Sequence, residues 1–220
     1  MRWTKLIPFF SLVLIYIIAG AYLLITYPKG DFELIVNQNH KDSFDLFFKN
    51  YTHLGDGLFY ALIMALLLLY KYYYVLVGTV AVLLKTTLVH IGKQILFDDH
   101  ARPLIFFRDK FIDVNFVDGV EMAHFNSFPS GHTATAFCLA TFLVLMLTKE
   151  QKPMLSLWQL LLFTYALLVG ISRFYLLQHF FEDTYAGTLL GFICALLVFL
   201  IFEKTQLYKN KFLSRSVLSK

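Results

Sequence analysis

The chain has 220 residues, of which 58% are hydrophobic and 15% charged, with mean hydropathy +0.64 and a formal net charge of +4. Soluble domains are ~45–50% apolar and ~25% charged, so this composition excludes an ordinary soluble domain and points to a membrane protein. The length allows one domain over residues 1–220, and no nucleic-acid partner is expected.

Crossing a bilayer takes ~20 mostly apolar residues per helix. Six blocks meet that need, which predicts an all-α, six-helix transmembrane bundle. The first, Leu6–Tyr27, has an apolar stretch longer than the ~7–15-residue core of a signal peptide, so it is expected to stay as an anchor. Pro28–Asp56 follows, with Phe44, Leu46, Phe47, Phe48 and Tyr51 set among charges, and reads as an interfacial amphipathic helix. Leu58–Tyr70 and Tyr72–Ile91 are broken only by Lys71, which leaves five spans conceivable; six are preferred, because Gly57 to Phe97 is too long for one crossing and fits a tight hairpin. The polar stretch Gln94–Phe128 reads as a long loop on the same face as the chemistry described below, and such loops are often functional. Ala134–Leu147 (extended back to Gly131), Leu155–Ile171 and Phe180–Phe202 complete the spans. Cys138 and Cys194 lie inside apolar blocks and read as packing residues rather than as a disulfide or metal framework.

With the N-terminus in the cytoplasm, the cytoplasmic pieces hold ten cations (Arg2, Lys5, Lys71, Lys149, Lys152, Lys204, Lys209, Lys211, Arg215 and Lys220) and two acids, a balance of +8. The remainder holds nine cations and thirteen acids, a balance of −4. Basic residues collect on the cytoplasmic side of membrane proteins, so the polar clusters should face outwards.

Ionisable groups at the ends of lipid-facing segments are costly and are functional candidates for that reason. His179 and Asp183, at i and i+4, share one helix face, so the carboxylate can hold one imidazole nitrogen and leave the other as a lone pair. On these residues alone, a self-satisfied interfacial pair fits as well as a catalytic one. His132 follows Pro129-Ser130-Gly131, where Ser130 can cap the fourth span and Gly131 admits an anion to the free N–H groups of its first turn. An ordinary helix start with an interfacial histidine is the competing reading. Lys93, Arg102 and Arg173 sit at span ends or in the following loop, and guanidinium forks suit phosphate oxygens. Lys85 lies inside the third span and must face the bundle interior or a shifted interface; His90 and His124 read as structural.

Lys93…Arg102-Pro103, Pro129-Ser130-Gly131-His132 and Ser172-Arg173…His179…Asp183 together resemble the three-part signature of the type-2 phosphatidic-acid phosphatases. These are membrane lipid phosphatases akin in their active site to soluble acid phosphatases and vanadium haloperoxidases. The second and third elements match, with five residues between Arg173 and His179 and three between His179 and Asp183. The first departs, with eight residues between Lys93 and Arg102 where the usual form has six.

The resemblance implies that His179 attacks phosphorus, Asp183 orients it, and His132 protonates the leaving oxygen and later activates water. Lys93, Arg102, Ser130, Gly131 and Arg173 would hold the phosphoryl oxygens, with no metal and no cofactor. The implied partners are a lipid phosphate substrate and the surrounding membrane lipids, with no obligate protein partner. The expected setting is a bacterial cytoplasmic membrane, with the site on its outer face. Undecaprenyl pyrophosphate, phosphatidylglycerol phosphate and phosphatidic acid are the expected substrates, with lipid A phosphate as the alternative. A non-catalytic phospholipid-binding or transport protein on the same scaffold is the reading from another class, and it would not require both histidines.

Overall fold

The computed structural model describes residues 3–219 and is 72% helical, with no strand among them; Arg2 and Lys220 of the charge count lie outside the described residues. Among the described residues nine α-helices run in order: α1 (Ile7–Thr26), α2 (Asp31–Gln38), α3 (Asp42–Tyr51), α4 (Gly57–Leu67), α5 (Tyr72–Ile91), α6 (Pro103–Asp109), α7 (Gly131–Lys149), α8 (Leu155–Tyr175) and α9 (Phe181–Thr205). Five helical segments, those containing α1, α5, α7, α8 and α9, are long and apolar enough to cross a membrane.

The expected second span differs. It forms α4, only 11 residues long, and at 1.5 Å per residue that is about 16 Å against a hydrocarbon core of ~30 Å. The helix unwinds at Leu68–Tyr70 into the turn that Lys71 closes onto Leu67. Helix and turn together still link the two ends of the bundle, because Asp56 touches His132 at one end and Tyr70 bonds Glu150 at the other.

The expected interfacial helix is two helices, α2 and α3, separated at Asn39–Lys41. The break follows from polar bonding: Lys41 is extended, and its backbone N–H donates to the Tyr175 hydroxyl. On α3, Phe44, Leu46 and Phe47 are exposed while Phe48 packs on Tyr175, the one-sided pattern of a helix lying at an interface. The expected long loop contains α6 and begins within a π-turn, Gly92–Leu96, that continues α5.

Helix α7 is the centre of the bundle, packed against α5, α8 and α9. Its contact with α9 is backbone against backbone: a Cβ on Gly187 would stand 2.6 Å from the Ser130 carbonyl oxygen, and one on Gly191 would collide with Ala134. Small residues permit such close approach where lipid supplies no hydrophobic drive between helices. This contact aligns the first turns of α7 and α9, and the Ser130 N–H bonds the Asp183 carbonyl at 2.9 Å.

The opposite end is closed by charge. Lys71 Nζ donates to Glu150 at 2.8 Å, Tyr74 and Tyr70 add hydroxyl bonds to the same carboxylate, and Lys149 pairs with Glu203. Leu14, Ile15, Ile18 and Ile25 on α1 are exposed, as lipid-facing residues are. Lys85 faces inward, 6% exposed, and donates to Thr135 Oγ1 at 2.8 Å. Cys138 and Cys194 are buried and free.

Candidate active site

Residues Leu176–Phe180 form the turn between α8 and α9, so His179 stands ahead of α9 rather than on a helix face shared with Asp183, because Phe180 is already extended at the N-cap. Leu177 takes φ +52° there, uncommon for a branched side chain, and its burial against Phe107 and Phe180 offsets that cost. Asp183 sits in the first turn of α9, where its Oδ2 accepts from the Phe180 N–H at 2.9 Å, half of a capping box. The same oxygen lies 3.2 Å from His179 Nδ1 and accepts from Ser127 Oγ at 2.5 Å. With Asp183 ionised, Nδ1 carries the proton and Nε2 keeps a free lone pair. Both side chains are buried, His179 at 2% exposure and Asp183 at 0%.

Burial pushes the His179 imidazole well below its ordinary value, and the nearby charges of Arg102, Arg173 and Lys93 push it further. Those three cations therefore lie near enough to act on the nucleophile candidate. Arg102 donates through Nε to the Phe125 carbonyl at 3.0 Å and through Nη1 to the Gln178 carbonyl at 2.9 Å. The longer Lys93-to-Arg102 spacing is thus absorbed by a loop anchored on backbone. Arg173 donates to Thr52 Oγ1 at 2.6 Å and to Gln178 Oε1 at 3.3 Å, and its Nε is buried without a partner. Lys93 Nζ donates to the Asn126 carbonyl at 2.5 Å.

Ser130 occupies the N-cap position of α7 as expected, but its side chain makes no cap bond. Its Oγ accepts instead from Thr133 Oγ1 at 3.0 Å. The cap is lost because the hydroxyl is turned to Thr133, which leaves the first-turn N–H groups beside Gly131 without a side-chain partner. His132 lies one residue further on, with Nε2 2.6 Å from Asp56 Oδ1. His90 and His124 are exposed; the His124 carbonyl accepts from the Arg102 N–H, a structural role.

Several contributors were not apparent from the sequence. Ser127 and Gln178 flank the recognised residues and organise them. Glu33 on α2 is buried, and its Oε1 accepts from the Phe181 N–H at 2.5 Å, fixing the start of α9. Burial raises the Glu33 carboxyl above the ordinary range. Asp56, on the polar segment before α4, carried no signal beyond its acidity. Among the described residues, no group of three or more His, Cys, Asp or Glu is placed to hold a metal.

A family model described as the PAP2 superfamily matches residues 58–207. Phosphatidylglycerophosphatase B of Bacillus subtilis (strain 168) is 37% identical over 89 residues, which is 39% of this chain and 43% of that protein. The matched region thus spans less than half the length of that relative. The crystal structure of Aquifex aeolicus LpxE superposes with a TM-score of 0.66 at 28% identity, covering 80% of this chain and 98% of that one. The crystal structure of the first transmembrane PAP2 type phosphatidylglycerolphosphate phosphatase from Bacillus subtilis gives a TM-score of 0.55 at 23% identity, covering 90% and 96% of the two chains. The latter likeness is one of fold alone.

Proposed function

The chain belongs to the PAP2 superfamily, and from that premise we propose that it is a lipid phosphatase working through a phosphohistidine. One observation carries the reading: a buried His179–Asp183 pair, close to Lys93, Arg102 and Arg173, stands where membrane-spanning helices end. His179 Nε2 attacks phosphorus while Asp183 stabilises the positive charge that develops on the ring. The bond from phosphorus to the lipid oxygen breaks, and His132 gives that oxygen a proton. In the second half-reaction neutral His132 takes a proton from water, the new hydroxide attacks phosphorus, and the P–N bond returns its electrons to His179. The three cations, with Ser130 and Gly131 at the start of α7, stabilise the phosphoryl oxygens in both transition states. In this reading they do the electrostatic work without a metal.

The identity to phosphatidylglycerophosphatase B favours a glycerolipid phosphate, with undecaprenyl pyrophosphate and lipid A phosphate as competitors. Phosphate release by the purified chain in detergent, with EDTA present, should be fastest on one long-chain lipid phosphate of that panel. Release should be at least about tenfold slower on glucose 6-phosphate. A substrate that keeps its chains in the bilayer avoids a transfer cost of ~0.8 kcal/mol per CH₂. Equal rates on the sugar phosphate would end the lipid reading, and loss of activity in EDTA would end the metal-free one.

The charge balance favours a site on the outer face of a cytoplasmic membrane. Asn115 is exposed in the segment between α6 and α7, and its hydrogen bonds to Asn37 use only its backbone, so a cysteine there should fold. It is expected to react with a membrane-impermeant thiol reagent in intact cells or spheroplasts, whereas one at Gln151, exposed at the opposite end, should not. Labelling only at Gln151 would invert the topology.

A further inference from the structure

Asp56 is the N-cap residue of α4, with φ −74° and ψ 153°. An aspartate there ordinarily turns its carboxylate onto the first-turn N–H groups, yet this one makes no cap bond. Its oxygens are committed elsewhere. Oδ1 lies 2.6 Å from His132 Nε2, and Oδ2 lies 3.0 Å from His53 Nδ1. The preceding residue presses the turn onto the same histidine, for a Cβ on Gly55 would stand 3.1 Å from both the Cβ and the carbonyl oxygen of His132. Asp56 and His132 are each about one-third exposed and share a cavity of about 450 Å³ with Thr52, His53, Arg173 and Gln178. Asp56 also lies two residues ahead of the segment that the family model matches.

We propose that Asp56 is the positioning residue for His132, forming a second, partly exposed carboxylate–imidazole pair that mirrors the buried pair of Asp183 and His179. Its close contact at Nε2 fixes the ring and leaves Nδ1 as the nitrogen that exchanges a proton with the leaving oxygen and then with water. The carboxylate also stabilises the imidazolium from which that proton comes. His53 braces the second oxygen, so the carboxylate is held from both sides. The geometry accounts for the missing helix cap: the carboxylate cannot serve both α4 and two imidazoles.

The inference rests on the reading of His132 as general acid, and the test separates the two. The full chain, its Asp56→Asn and His132→Ala variants and the double variant are assayed in detergent. The substrates are long-chain phosphatidic acid, whose alkoxide needs a proton, and 4-nitrophenyl phosphate, whose leaving group needs little. Asp56→Asn should lower the single-turnover rate of leaving-group release from phosphatidic acid by roughly 10- to 100-fold and that from the aryl phosphate by less than about threefold. A single turnover excludes the water step that both substrates share. In the His132→Ala background it should cost nothing further. Asparagine caps helices as well as aspartate, so loss of a cap cannot produce this split; Asp56→Ser, also a good cap, carries the same test if the first variant is not monodisperse. Equal losses on both substrates, no loss, or an undiminished loss without His132 would overturn the role of Asp56 while the phosphatase reading stands. Wild-type inactivity on both substrates and on every other lipid phosphate of the panel would overturn both.

Discussion

His179→Ala is expected to lower phosphate release by roughly 10⁴-fold or more, since removing a covalent nucleophile removes the pathway itself. The variant should still insert and stay monodisperse. The imidazole occupies a turn whose backbone is held by bonds from the His179 and Gln178 N–H groups to the Arg173 carbonyl. Alkaline quenching of the wild type during turnover should trap phosphate on His179, because the P–N bond survives base and hydrolyses in acid. Wild-type-like release from folded His179→Ala would rule out the phosphohistidine. The sign of the pH effect is also set. Burial and three neighbouring cations disfavour the imidazolium, so the neutral, nucleophilic form persists as pH falls. An unperturbed imidazole with a pKa of about 6.5 would lose about tenfold of its neutral form by pH ~5.5. Phosphoryl-enzyme formation limited by His179 should stay nearly flat over that range in rapid-quench measurements, and a tenfold fall tracking an ordinary imidazole would contradict the electrostatic account.

Arg173→Ala should be the second most damaging change, lowering kcat by roughly 10²- to 10³-fold. Its guanidinium is 6% exposed, its Nε lacks a partner, and its other bonds go to the Thr52 and Gln178 side chains, which a phosphate can displace. Arg102 differs, because its bonds go to two backbone carbonyls. Arg102→Ala is therefore expected to cost less in kcat and to act in part through the loop. Full kinetics on both variants decide the order. If Arg102→Ala proves the more damaging, the loop arginine carries the transition-state charge and Arg173 is structural.

The disposition of the helices was legible because it follows from local chemistry. Tyr72–Ile91 was read with the ends it has, and the blocks that became α1, α7, α8 and α9 differ from the reading only near their ends, since an apolar run beside lipid has few alternatives to a helix. Helix α4 was read too long, because apolar residues continue past Leu67 into a turn that the hairpin with α5 requires. The pairing of His179 with Asp183 is legible from their spacing, but the route differs from the expected shared helix face: His179 lies in the turn ahead of α9, and Asp183 in the first turn reaches back to it and to the Phe180 N–H.

Residue types and apolar runs alone point to a set of candidate phosphate-binding groups at the ends of helices long and apolar enough to cross a membrane. The tertiary structure decided which of those groups meet and what holds them. Gly187 and Gly191 let α9 approach α7 so closely that Ser130 bonds the Asp183 backbone, and no local pattern reveals that contact. Glu33, Asp56 and Gln178 look like ordinary polar residues in sequence, and each gains its place from a partner on another element. The physical reason is range. Helix periodicity and solvation act on neighbours along the chain, whereas a buried carboxylate or a backbone carbonyl finds its donor only after the helices have packed, when an unmet bond would be too costly to leave.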